Sequence, residues 1–170
     1  MTEKLVDING TTASITGEGR PVVLVHGVFM DRRMWFPKVE VLSRDYTVCC
    51  MDMLGHGDAP DLDGELTLSA FVEQLHEVIQ PFGSDKLVLG GFSMGGLVAQ
   101  AYAIKNHSHL SGLMLMNTVY DRSESEVAVV TQRYADMTTG GIESIVQSAD
   151  QRWFTDVDRK TMPDKINEIW

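Results

Sequence analysis

Ser93 is the residue of this sequence with the clearest capacity for chemistry, because it lies in the segment 91–95, which reads GFSMG. An apolar run over 87–89 precedes this segment, and a helix-like pattern over 97–104 follows it. The order predicts a buried strand, a very sharp turn and a helix, with the Ser93 hydroxyl exposed at the apex on a strained backbone. A serine presented in that way can attack a carbonyl carbon once a base takes its proton. The simpler interpretation is an ordinary strand-to-helix turn with a serine N-cap.

The amide that follows the serine adds to this prediction. Met94 N–H is expected at the N-terminus of the helix, where unpaired donors and the helix dipole favour an anion. Ser93 and Met94 are therefore predicted to supply a nucleophile and half of an oxyanion hole. Gly91 and Gly95 have no side chains, so neighbouring backbone can approach the turn closely. The G-x-S-x-G pattern is weak evidence alone, and the strand before it and the helix after it provide the required context.

Apolar runs and amphipathic patterns alternate over the first 120 residues, which is typical of a mostly parallel sheet with helices on both faces. The Asn9-Gly10 pair predicts a hairpin at the start, because a tight turn needs positive φ. Thr67 is the expected N-cap of the clearest helix. The predicted strands are 4–8, 12–16, 22–25, 46–51, 86–90 and 113–116, and the predicted helices are 34–42, 68–79 and 97–104.

Composition excludes several classes of partner. The chain has 14 basic and 24 acidic residues, a net charge of −10, which argues against nucleic acid and against an anionic membrane surface. No apolar run approaches the length of a membrane span, and the N-terminus lacks the apolar core of a signal peptide, so we expect a cytoplasmic protein. Cys49 and Cys50 are neighbours in a predicted strand and point to opposite faces, which suits a reducing compartment and provides no metal site.

Three motifs together resemble the α/β-hydrolase superfamily in order and spacing, over essentially all of residues 1–170. They are His26-Gly27 after the third strand, DMLGHG at 52–57 after the fourth, and GFSMGG at 91–96 at the turn around Ser93. The stretch 26–35, HGVFMDRRMW, is particularly similar to that of aryl esterases, perhydrolases and enol-lactone hydrolases. The resemblance implies a partial α/β-hydrolase fold, with a mostly parallel sheet, helices on both faces and the beginning of a helical lid.

The same resemblance divides the chain after residue 120. Residues 1–120 are expected to be the N-terminal part of the hydrolase core, without its C-terminal strands, and 121–170 the start of the lid. Helical patterns cover 127–137 and 142–153 on either side of Gly140-Gly141, and a third helix is expected after Pro163. Apolar residues mark one face of the second helix: Ile142, Ile145, Val146, Ala149 and Trp153.

Function and site residues also follow by resemblance. The implied activity is a serine hydrolase of carboxylic esters, thioesters or lactones, acting on a small molecule through an acyl-enzyme on Ser93. Val28 would give the second oxyanion amide beside Met94, with Phe29 as the alternative to Val28. A serine at this position, and not an aspartate, argues against the haloalkane dehalogenase and epoxide hydrolase branches. No metal or organic cofactor is implied.

Two departures from the family pattern bear on activity. The family usually has a serine two residues past the Gly-His-Gly motif, and Ala59 stands there. In the family order the acid and the histidine follow the nucleophile, and both are expected after the lid, outside this chain. The five histidines present are interpreted as structural or exposed residues, and Asp121 as a solvated carboxylate at the hinge of the lid. The alternative function is therefore a catalytically inactive binding or interaction protein of the same fold.

The predicted strand 113–116 has only apolar residues, without charge or proline, and would form an edge of the sheet. Natural proteins avoid exposing such an edge, and the apolar face of the predicted helix 142–153 would also need cover. We therefore expect a covering partner over strand 113–116: a second chain, the missing C-terminal part, or a homodimer.

Overall fold

Six β-strands in the first 120 residues form one sheet in the order β1-β2-β4-β3-β5-β6. Strands β1 and β2 pair antiparallel, as do β2 and β4, whereas β4, β3, β5 and β6 are parallel. Their bounds are β1 Lys4–Ile8, β2 Thr11–Thr16, β3 Arg20–Val25, β4 Tyr46–Met51, β5 Leu87–Phe92 and β6 Leu110–Met116. This computed structural model describes residues 4–61, 64–83 and 86–167. The predicted mostly parallel sheet is confirmed.

The first hairpin forms as its sequence requires. Asn9 and Gly10 adopt φ of 51° and 84°, and two successive positive φ values match the twist of the flanking strands. The Gly10 N–H donates to the carboxylate of Asp7 over 3.0 Å. This turn fixes the register of β1 against β2.

Helices cover both faces of the sheet. Helix α1 (Phe36–Leu42) lies on one face, and α2 (Leu68–Ile79) and α3 (Met94–Asn106) lie on the other. The neighbouring cysteines of β4 divide between the two cores, since Cys50 packs with Val22 and Cys49 packs with Val23. Burial raises the pKa of the Cys49 thiol to about 12, so this cysteine stays protonated and serves as a small apolar side chain.

The chain divides into two compact units, Met1–Tyr120 and Asp121–Trp170, and the described part of the second is helical. Helix α4 (Glu124–Trp153) begins with a capping box at Ser123 and is interrupted at Gly141, where φ is 68° and ψ is −174°. The predicted break at this glycine pair is therefore confirmed. Helices α5 (Asp156–Thr161) and α6 (Pro163–Asn167) follow, and α5 was not predicted.

Two sequence predictions fall partly outside the described residues. The predicted apolar face of 142–153 is described without Ile142, because the side chain of that residue lies outside the described part. The third predicted helix is described only up to residue 167. Among the described helices, none combines the length and the apolar character that crossing a membrane requires.

Strand β6 lies at an edge of the described sheet. The side chains of Leu113, Met114 and Leu115 are 40%, 38% and 43% exposed. An apolar edge of this kind offers unpaired backbone groups to any further strand.

We expect residues 1–170 alone to self-associate through β6, because pairing would satisfy its free edge. Light scattering at micromolar concentration should show a dimer or larger species, and Leu113→Lys should shift it towards the monomer because a charge on an edge strand disfavours pairing. Leu5→Lys, on the opposite edge strand β1, is the matched control and should change little. A monomeric parent chain would contradict the expectation.

Candidate active site

The order of the strands places a crevice at one end of the sheet. Strand β3 leads to β4 on one side, and β4 leads to β5 on the other side of β3. In open parallel sheets, ligands bind at the carboxyl ends of strands where the chain reverses direction in this way. Strands β3, β4 and β5 end at Val25, Met51 and Phe92. The residues that follow begin or contain the three sequence motifs, so the topology brings those motifs to one end of the sheet.

Ser93 stands between β5 and α3 in an unusual conformation, with φ of 51° and ψ of −114°. Positive φ is unfavourable for a residue with a side chain, and such strain costs about 1–3 kcal/mol. The surroundings hold the residue in place. Its N–H donates to Met116 O over 2.9 Å, and its carbonyl oxygen accepts from the Thr118 hydroxyl over 2.8 Å. The predicted strained turn is therefore present.

Two glycines allow this turn to form. A Cβ atom on Gly91 would lie 2.3 Å from the carbonyl oxygen of Gly95, and one on Gly95 would lie 2.3 Å from the carbonyl oxygen of His26. Real Cβ atoms do not approach backbone oxygens that closely. The first turn of α3 thus packs directly against the backbone at the end of β3.

The loop after β3 passes next to the serine. A Cβ atom on Gly27 would lie 3.4 Å from Cβ of Ser93. Beyond it the chain makes a tight turn, in which Met30 N–H donates to Gly27 O over 3.3 Å and Phe29 has φ of 62°.

Several backbone amides near this junction lack a hydrogen-bond acceptor in the described part of the chain. Among the described residues, none accepts a hydrogen bond from the N–H of Val28, Phe29 or Met94. Unpaired amides at a turn and at a helix N-terminus suit an anion. The sequence-based choice of Met94 and Val28, with Phe29 as the alternative, stays a proposal for the anion-binding pair.

His26 is buried, and both of its ring nitrogens have partners. Nε2 accepts from Met53 N–H over 2.9 Å, so Nδ1 carries the proton and donates to Gly27 O over 2.7 Å. Burial lowers the pKa of His26 to about 4, so the ring is neutral at pH 7. A neutral histidine with both nitrogens engaged positions the loops and does not act as a base for Ser93.

Asp52 joins the loops after β3 and β4. Its fully buried carboxylate accepts from the Arg32 N–H over 2.7 Å and from the Asp58 N–H over 3.0 Å, and it also pairs with the Arg32 guanidinium. Arg32 is only 7% exposed and also contacts the Asp58 carboxylate at 2.9 Å. Sequence reasoning gave neither Asp52 nor Arg32 this role, although an aspartate directly after a buried strand is a usable signal.

Gln74 of α2 supports the same loop from the other side of the sheet. Its side-chain oxygen accepts from Leu54 N–H over 3.1 Å, and its nitrogen donates to Asp52 O over 3.0 Å and to the Thr11 hydroxyl over 3.2 Å. This residue was also missed. The available signal is a polar side chain on the buried face of an amphipathic helix, beside Leu75.

The other described histidines form no hydrogen bond with the serine. His56 bonds with Leu54 O, His76 with Gln80 and His109 with Tyr102, and His107 is exposed. Within the described ranges, no group of histidine, cysteine and acidic side chains is placed to hold a metal ion. The described part of the chain therefore presents a serine and unpaired amides without a hydrogen-bonded base.

Comparison with known proteins decides the family. Residues 20–149 match the family model of the alpha/beta hydrolase fold. The chain belongs to the α/β-hydrolase family. This confirms the resemblance drawn from the three motifs.

Individual hydrolases are similar over most of this chain. An (E)-2-((N-methylformamido)methylene)succinate hydrolase of Acinetobacter baylyi is 30% identical over 154 residues, which are 91% of this chain and 58% of that protein. A thermophilic esterase of Thermogutta terrifontis, solved with malate bound, has a TM-score of 0.81 at 29% identity, and the enol-lactonase of Burkholderia xenovorans has 0.84 at 26%. The aligned regions cover 99% and 98% of this chain and 65% of each of those structures. The chain thus spans less than two thirds of each relative.

Substitution of Gly91 tests the close backbone contact. Gly91→Ala should lower stability by several kcal/mol, because its Cβ would overlap the Gly95 backbone and the turn would have to open. Gly112→Ala is the matched control on β6, where a Cβ would meet Val88 at an ordinary 3.7 Å. Denaturant unfolding monitored by circular dichroism measures both. Equal stabilities would show that the turn is not held by this contact.

The neutral state of His26 predicts a pH dependence of stability. Its pKa is lowered from 6.5 to about 4 in the folded chain, so between these values the unfolded chain binds more protons. The free energy of unfolding should therefore fall as the pH drops from 6.5 to 4, by about 3 kcal/mol in all from this group. Equilibrium unfolding across this range measures the loss.

His26→Asn should flatten this dependence, whereas His107→Asn, at an exposed position, should leave it unchanged. If His26→Asn does not fold, an NMR titration of the His26 ring in the parent protein provides the same information. A ring that becomes protonated near pH 6.5 would refute the buried, neutral assignment.

Proposed function

We propose that the protein containing this chain hydrolyses a carboxylic ester, thioester or lactone, with Ser93 as its nucleophile. The observation that carries the proposal is the conformation of Ser93, strained between β5 and α3 at the carboxyl end of the sheet. The unpaired N–H of Met94 follows it, and the loop that begins at His26 lies alongside. A plain N-cap serine needs none of this strain, and its side chain would accept from the helix backbone, which that of Ser93 does not.

The proposed reaction proceeds in two steps. The Ser93 oxygen attacks the carbonyl carbon of the substrate while a base takes the hydroxyl proton, and the carbonyl oxygen becomes an anion. Collapse of this intermediate breaks the bond to the leaving group, which receives the proton, and leaves an acyl group on Ser93. Water then attacks the acyl group while the base takes a proton from it. The bond to the Ser93 oxygen breaks, the base returns the proton to that oxygen, and the acid product is released.

The oxyanion is proposed to bind the N–H groups of Met94 and Val28. Met94 begins α3, a helix of 13 residues, so the helix dipole adds to the hydrogen bond. Loss of one such donor in other hydrolases typically costs about 10²–10³ in rate. Because backbone carries both amides, their position depends on the loop and turn contacts described above.

The comparisons support the reaction class. An esterase, a lactonase and a further hydrolase are the similar proteins by name, and attack on a carbonyl carbon is common to ester and lactone cleavage. In the family order the acid and the histidine follow the nucleophile. We therefore place both in the further part of a longer protein, and propose residues 121–170 as the start of its lid.

A binding protein of the same fold is the second candidate. It is favoured by one observation, that no histidine in the described part of the chain forms a hydrogen bond with the Ser93 side chain. The same unpaired amides would then bind an anionic ligand without turnover. The two candidates differ in whether Ser93 reacts.

Labelling with a fluorophosphonate probe tests the proposal on the full-length protein. The parent and Ser108→Ala, a control at an exposed serine, should label and hydrolyse a p-nitrophenyl ester. Ser93→Ala should not label and should lose on the order of 10⁴-fold or more in kcat. Equal labelling of parent and Ser93→Ala would remove Ser93 as the nucleophile. A folded parent that neither labels nor hydrolyses esters would support the binding protein.

A further inference from the structure

A cavity lies away from the proposed active site. It is a cleft of about 370 Å³ between strand β2 and helix α1, on the sheet face opposite to α2 and α3. None of the residues that line it belongs to the proposed nucleophile, the unpaired amides or the loop contacts around them.

Three unpaired hydroxyl groups belong to buried residues of this cleft. Ser14, Thr16 and Ser43 are only 3%, 8% and 3% exposed. Their side chains form no hydrogen bond with any residue that the structure describes, yet none of the three oxygens is sealed from solvent. A hydroxyl that is open to solvent keeps its capacity to donate and to accept hydrogen bonds for a molecule that enters the cleft. Since the three residues line one cleft, their hydroxyls can be satisfied by what occupies it.

The rim of the cleft carries one charge of each sign. Glu40 and Arg44 are four residues apart at the end of α1, and both are exposed. In the described ranges neither side chain forms an ion pair, with the other or with a third residue. Water could satisfy the hydroxyls, but a separated cation and anion on the rim match a ligand that carries both charges.

An apolar wall completes the cleft. Phe36 and Val39 lie on the α1 side, and Phe36 is exposed although it is aromatic. Apolar surface beside polar groups that converge on one cavity is typical of sites for small molecules.

We propose that this cleft binds a small zwitterion with an apolar side chain, an α-amino acid such as leucine. The ligand's carboxylate accepts from Arg44 and the three hydroxyls, and its ammonium group donates to Glu40. The apolar side chain lies against Phe36 and Val39. A molecule of this size fits the volume of the cleft. A ligand with so few atoms and exposed charged partners binds weakly, with Kd on the order of a millimolar.

Binding is tested with L-leucine and two analogues that each lack one charge. Calorimetry on the purified protein gives the affinities, and ¹H–¹⁵N NMR spectra locate the ligand. L-leucine should bind saturably and shift the amides of Ser14, Thr16 and Ser43. The analogues 4-methylpentanoate, without the ammonium, and 3-methylbutylamine, without the carboxylate, should each bind about threefold to fivefold more weakly.

Variants that remove one charge test which residue binds each charged group of the ligand. Arg44→Gln should weaken L-leucine and 4-methylpentanoate by about threefold to fivefold and leave the amine unchanged. Glu40→Gln should weaken L-leucine and the amine and leave the acid unchanged. Lys105→Gln on α3 and Glu73→Gln on α2 remove the same charges from the opposite side of the sheet, and should change no affinity.

Two results would overturn the proposal. One is the absence of saturable L-leucine binding in a folded protein at concentrations well above the expected Kd. The other is binding that Arg44→Gln and Glu40→Gln reduce no more than their controls do. Both variants change exposed side chains, so loss of folding does not confuse the comparison.

Discussion

Contact between two stretches of backbone is the constraint on which the rest of this structure depends. The first turn of α3 packs so closely on the end of β3 that a Cβ atom on Gly95 would lie 2.3 Å from the carbonyl oxygen of His26. No side chain can separate the two elements, so Ser93 takes a positive φ to make the turn. This strain persists because two hydrogen bonds hold the Ser93 backbone. Its N–H donates to Met116 O, and its carbonyl oxygen accepts from the Thr118 hydroxyl.

A buried ion pair, Arg32–Asp52, and the neutral ring of His26 position the loop after β3, which faces Ser93. Removing one partner of the Arg32–Asp52 pair would leave an unpaired buried charge, which typically costs 3–5 kcal/mol. Asp58 cannot replace Asp52, because its side chain is 67% exposed and exposed pairs contribute little. His26 adds hydrogen bonds without charge, since burial lowers its pKa. The loop after β3 thus depends on contacts from the loop after β4, and the proposed oxyanion amide of Val28 depends on that loop.

Helices and strands whose apolar residues recur at a regular spacing could be predicted from the sequence, and elements without such a pattern could not. Strand β4 and helix α2 have the predicted bounds, because a short apolar run and an amphipathic face with a Thr67 cap are local signals. Helix α3 begins at Met94, as the turn at Ser93 predicts, although the apolar pattern alone marks only 97–104, because the glycines in its first turn have no apolar side chains. Helix α5 was missed because DVDRKT has no apolar face, and its signal is the capping box of Thr155 and Asp158.

The features of the candidate site also fall into two groups. Some are determined by residues adjacent in sequence, and others by contacts between residues far apart in sequence. The turn at Ser93 and the helix start at Met94 follow from a few consecutive residues, so the sequence predicts both. The Arg32–Asp52 contact joins residues 20 apart, and the Gln74–Thr11 contact joins residues 63 apart. No local pattern encodes such contacts, because they exist only after β2, β3 and β4 lie side by side. The hydroxyls in the cleft beside α1 follow the same rule, since Ser14 and Ser43 look ordinary in sequence and line one cleft only in the folded chain. Functional groups within one turn can therefore be predicted from this sequence, whereas functional contacts between separate elements can be recognised only from the folded structure.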